Sequence, residues 1–110
     1  MTTSEPLEID PLALKRRLES DNPPVILDVR EPWELEIAAV DGALAIPLGE
    51  LPRRVAEAPR DRPVAAMCHH GGRSASATAW LRAQGFDNVM NVVGGIDAWA
   101  RLVDPELKRY

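Results

Sequence analysis

Cysteine is nearly absent from this chain: Cys68 is the only one in 110 residues, and His69 and His70 are the only histidines. A lone cysteine excludes an internal disulfide and fits a reducing compartment, so a cytoplasmic location is expected. Long apolar runs are also missing. The longest, such as Ile37 to Val40 and Val64 to Cys68, fall far short of the roughly 20 residues of a membrane helix. The opening "MTTSEPLEIDPL" is acidic, without the basic and then apolar regions of a secretory leader. There is no positive excess either. A net charge of -4 gives no electrostatic reason to expect nucleic acid or an anionic membrane as partner, although an anionic small molecule can still bind locally.

What is present is enough for one compact domain, since 45% of the residues are hydrophobic and 27% charged. The expectation is a single domain over residues 1–110, with the tail "DPELKRY", 104–110, left loose. Short aliphatic runs alternate with helical patterns. Strands are expected at Val25 to Val29, Ala43 to Ile46, Val64 to Met67 and Val89 to Val92, with a further short one at Leu7 to Ile9. Helices are expected at Leu12 to Leu18, from Pro32, over Leu48 to Ala58, from about Arg73 or Ser74, and along "IDAWARL". Pro52 confines regular helix in the third of these to the residues beyond it, and Gly85 stands where the glycine closing the fourth belongs. This alternation predicts an α/β fold, a mainly parallel sheet with helices on both faces, and ligands beyond the carboxyl ends of strands. Asp28 and Cys68 both fall at such ends.

The chemistry concentrates in "PVAAMCHHGGRS", Pro63 to Ser74. Zinc would draw on Cys68, His69 and His70, but a structural site needs four ligands and adjacent residues rarely all face one ion, so no metal is expected. A lone cysteine is usually a small buried hydrophobe. Cys68 instead leaves a strand at a glycine-bearing turn that precedes a helix. Inward-turned amides and the positive end of that helix both stabilise a thiolate. A phosphatase cradle resembles C-x5-R, whereas Cys68 to Arg73 gives C-x4-R, one residue short for a tetrahedral phosphate. The smaller loop suits one additional sulfur atom, held as a persulfide anion by the same ring of amides.

"CHHGGRS" resembles the active loop C-x-x-G-x-R of the rhodanese (thiosulfate sulfurtransferase-like) family. "ILDVREPWE", "DGALAIPLGEL" and "GFDNVMNVVGGIDAW" stand around it at family spacing, so the resemblance covers most of the chain. It implies a three-layer fold with a five-stranded parallel sheet flanked by helices. One departure is Ala39, in "AVDGA", where many members carry the histidine of a His-Ile-Pro-Gly-Ala segment. A mechanism relying on a distant histidine base is not expected here.

The resemblance implies an enzyme, a sulfurtransferase with no resident cofactor, working through a covalent persulfide on Cys68. Cys68 takes sulfur from a small anionic donor such as thiosulfate and passes it to a thiophilic acceptor, cyanide in the test tube or a sulfur-acceptor protein. Amides of His69, His70, Gly71, Gly72, Arg73 and Ser74 stabilise the persulfide. Arg73 binds the donor or braces the loop. His69 and His70 project outward, either contacting donor or simply solvated. Asp28 and Arg30 support the site structurally, and Trp33, Trp80 and Trp99 pack the core. The alternative is a non-catalytic rhodanese-like module that binds a partner protein or senses sulfur.

Overall fold

A computed structural model describes residues 4–110. Five strands, β1 (Glu8–Ile9), β2 (Val25–Asp28), β3 (Leu44–Ala45), β4 (Val64–Met67) and β5 (Val89–Val92), form one sheet in the order β1-β5-β4-β2-β3, every pairing parallel. Four helices connect and cover them: α1 (Pro11–Leu18), α2 (Pro32–Ile37), α3 (Gly72–Ala83) and α4 (Gly95–Leu102). The central strands β4 and β5 are buried along their whole length. That explains why β4 reads as a continuous apolar run, and β5 as one broken only by Asn91, rather than as alternating patterns.

Side chains alternate across β4 and divide the core into two layers. Val64, Ala66 and Cys68 face Ala77, Leu81 and Phe86, on and just beyond α3. Ala65 and Met67 face Leu14 of α1 and Ile96 and Trp99 of α4. The helices thus cover both faces, as the alternation predicted. Cys68 enters the loop beyond β4 from the α3 side.

The expected helix over Leu48 to Ala58 is absent. The segment forms two single 3-10 turns, Leu48–Glu50 and Val55–Glu57. Pro52 contributes no amide, and Ala58, held extended at ψ 129° ahead of Pro59, ends the second turn. The few residues between the prolines are too short for a stable α-helix. Trp33 was expected in the core but is 59% exposed, whereas Trp99 is buried and Trp80, on α3, packs half-buried against the core beneath that helix. The tail, expected loose, turns back so that Leu107 and Tyr110 pack against the α1–α4 layer.

Candidate active site

The site lies at the carboxyl end of β4, between β2 and β5. Parallel pairing sets Asp28 beside Met67 and Asn91 beside Ala66, so two polar positions flank the end of β4 that leads into Cys68. Helix α3 starts earlier than the sequence suggested, with Gly71 as its N-cap at φ +109°. That backbone conformation favours glycine, and glycine brings no side chain to cap the helix. The sulfur of Cys68 fills the role. Its Sγ accepts from the amide of Gly71 at 3.1 Å and from that of Ser74 at 3.3 Å, with the Ser74 hydroxyl also 3.3 Å away. Amides of a first helical turn have no partner within the helix, and here they converge on one sulfur that is 1% exposed. Hydrogen bonds to a charged acceptor are stronger than neutral ones, so this arrangement favours an anion at that point.

The loop's carbonyls are held from outside. The amides of Ile96 and Asp97, in the first turn of α4, donate to the carbonyl oxygens of Cys68 (2.8 Å) and His69 (3.1 Å). Gly95 permits this approach: it adopts φ +60°, and a Cβ there would collide with both carbonyls.

Arg73 and Glu34 form the main brace. Both terminal nitrogens of Arg73 donate to the two carboxylate oxygens of Glu34, at 2.5 and 2.8 Å. Glu34 also accepts from the amide of Glu31 and from the hydroxyl of Tyr110. Arg73 above all, then Tyr110 and the Glu31 amide, overcome the opposing effect of burial and hold the Glu34 carboxyl down at about 2. A cation in the first turn of α3 opposes the helix dipole, and this carboxylate compensates it. Behind the brace, Arg30 is completely buried. Its guanidinium pairs with Asp28 (2.7 Å) and donates to the carbonyl of Ala38 (2.8 Å) and the hydroxyl of Tyr110 (2.9 Å).

The two histidines differ. His70 is exposed, but His69 does not project outward as expected. It is half-buried, stacked between His70 and Tyr110 with ring centroids 3.9 Å from each. Aromatic overlap with the returning tail holds it there. Among the described residues, His69, His70 and Asp97 bring possible metal-ligating atoms within 4.8 Å of one another. The Asp97 carboxylate is already paired with Arg109 and Arg101. A cavity of about 500 Å³ lies between Leu18, Val40, Trp99 and Leu107, and no residue of the loop 68–74 lines it.

Three residues of this constellation were not read as site residues from the sequence: Glu34, Asn91 and Tyr110. Asn91 carried a signal, because an amide inside an apolar strand must find partners when buried. It donates to the carbonyl of Gly71 at 3.2 Å and accepts from the Ser74 hydroxyl at 2.6 Å. Glu34 falls in the first turn of α2, where an acidic residue is ordinary and marks no site, and nothing local marks Tyr110.

The rhodanese-like domain model matches residues 10–102. The chain belongs to the rhodanese-like family. It is 40% identical over 103 residues to a sulfurtransferase of Allochromatium vinosum, a match covering 90% of this chain and 96% of that one. YrkF of Bacillus subtilis is 41% identical over 92 residues, covering 84% of this chain but only 50% of the longer relative. Among solved structures, a rhodanese-related protein of Thermoplasma volcanium superposes with a TM-score of 0.79 at 34% identity, covering 86% of this chain and 90% of that one. Family and relatives support sulfur transfer as the general type of activity. Among the described residues, no helix of this rhodanese-like chain is long and apolar enough to cross a membrane.

Proposed function

We propose that this rhodanese-like chain transfers sulfane sulfur through a persulfide on Cys68, with thiosulfate or a related anionic donor and a thiophilic acceptor. The observation that carries the reading is the convergence of two amides and one hydroxyl on the sulfur of Cys68. In the first half-reaction the thiolate attacks the outer sulfur of thiosulfate. The bond to the sulfite sulfur breaks, sulfite leaves with the electron pair, and Cys68 carries a persulfide anion. In the second, the acceptor attacks the outer sulfur and the electrons of the broken bond return to Cys68 as a thiolate; with cyanide the product is thiocyanate. The two halves balance without an external oxidant or reductant. Loop amides stabilise the anion in each state. Arg73 acts as a brace, since both its terminal nitrogens are committed to Glu34. Asp28 and Arg30 support the loop from behind without touching Cys68.

The test is intact-mass spectrometry before and after thiosulfate, with cyanide added last and Cys68→Ser alongside. The expected result is uptake of one sulfur atom, its loss to cyanide as thiocyanate, and neither in the serine variant. No uptake from thiosulfate or from a more reactive polysulfide would overturn the reading.

A further inference from the structure

Ser74 has one hydroxyl proton and two acceptors within reach. Its oxygen lies 2.6 Å from Oδ1 of Asn91 and 3.3 Å from Sγ of Cys68. The orientation of the Asn91 amide is fixed by Gly71, whose carbonyl can only accept and lies 3.2 Å from Nδ2. Oδ1 therefore faces Ser74, and two oxygens 2.6 Å apart need a proton between them. Only the Ser74 hydroxyl can provide it. Cys68, Ser74 and Asn91 are 1%, 0% and 7% exposed, so water is a poor substitute and each unmade bond is costly.

The proton count depends on the state of the sulfur. While Cys68 is a thiol, its S–H can donate to Ser74 and the Ser74 hydroxyl donates onward to Asn91, which satisfies all three groups. Once the sulfur is an anion it has no proton to give. The Ser74 hydroxyl then gains most by turning to the sulfur, leaving Asn91 Oδ1. We propose that Asn91 is a positioning residue for sulfur transfer: it competes with Cys68 for the Ser74 hydroxyl and thereby sets how strongly the loop stabilises the anionic sulfur. This deepens the sulfur-transfer reading and rests on Cys68 acting as an anion. Asn91's side chain hydrogen-bonds Ser74 and the Gly71 carbonyl rather than the sulfur, and it acts through Ser74.

The test is the pH profile of iodoacetamide alkylation in the full chain, where Cys68 is the only cysteine. Wild type, Ser74→Ala, Asn91→Leu and the double variant are compared. Removing the competing oxygen commits the hydroxyl to sulfur, so Asn91→Leu should move the midpoint of the profile down by about 0.7 pH unit, the equivalent of one ordinary hydrogen bond. Ser74→Ala should move it up. The double variant should coincide with Ser74→Ala, because the hydroxyl for which Asn91 competes is gone; a remaining shift would place the effect in the Asn91–Gly71 contact instead. The charged and titratable groups around the loop are Arg73, Glu34, Asp28, Arg30, His69 and His70, with Asp97 of α4 and Tyr110 of the tail packed against the histidines, and they are unchanged in every variant. If Asn91→Leu does not fold, Asn91→Ala removes the same oxygen without adding bulk and should give the same sign. An unchanged or raised midpoint in the Asn91 variant, or an equal shift with and without the Ser74 hydroxyl, would overturn the assignment. Sulfur uptake by the wild type is read separately. A coupled shift without uptake would remove sulfur transfer and leave Asn91's role, and uptake without coupling would do the reverse.

Discussion

Replacing Glu34 with glutamine preserves the shape of the side chain and removes the charge that Arg73 grips. In the folded protein the Glu34 carboxyl lies at about 2, against an ordinary value of 4.5. Taken at face value that depression corresponds to about 3 kcal/mol of stability at neutral pH. Arg73 is 37% exposed, and solvent screening on its side brings the expected loss to about 1–2 kcal/mol. Because the folded value lies below the unfolded one, the contribution is fully present above about pH 4.5 and disappears as pH falls through about 2. At pH 3 about two fifths of it should remain. Urea denaturation of wild type and Glu34→Gln, followed by tryptophan fluorescence at pH 7 and pH 3, reads the gap directly. A gap that is the same at both pH values would refute the reasoning, as would one below about 0.5 kcal/mol at pH 7, since neither is compatible with a buried carboxylate held by Arg73.

The brace also depends on shape, so Arg73→Lys, which offers a point charge to a two-pronged contact, should cost about 1 kcal/mol in the same denaturation assay despite keeping the charge. Tyr110→Phe keeps the ring on His69 but removes the hydroxyl shared by Glu34 and Arg30. It should cost about 1–2 kcal/mol, because a buried guanidinium nitrogen loses an acceptor. Gly95→Ala combines an unfavourable φ with a backbone collision, so a loss of at least about 2 kcal/mol is expected, with reduced sulfur uptake by intact mass in whatever remains folded. Trp33→Ala, at an exposed position that keeps only an edge-on contact with Tyr110, should cost no more than about 1 kcal/mol in the same urea assay.

Fully buried strands were the most legible part of the chain. Val64 to Met67 and Val89 to Val92 agree with the structure residue for residue, because a strand buried on both faces leaves a short apolar run with clear ends. The segment between Pro52 and Pro59 was misread because hydrophobic spacing alone does not register how little room the two prolines leave. Cys68 and its loop were visible because cysteine, glycines and arginine stand together in sequence. Glu34 and Tyr110 meet Arg73 and His69 only through folding over long separations. No local pattern records such contacts. Trp33 shows the opposite error, since a large aromatic was assigned to packing by its type while its position on a six-residue helix leaves it at the surface.

The grip of α4 on the loop has a consequence for transplantation. A peptide group that points its oxygen one way must point its N–H the other, so capture of the Cys68 and His69 carbonyls by Ile96 and Asp97 fixes the peptide planes that open the turn. The polarity of the loop is therefore imported from a helix that begins more than twenty residues later. Grafting "CHHGGRS" after a strand of an unrelated scaffold would carry over the nucleophile and the arginine but not the orientation of the backbone around them. A donor protein would have to contribute the paired glycines and the first turn of α4 as well, which makes the smallest portable unit of this chemistry a strand–loop–helix–strand–helix segment rather than a seven-residue motif.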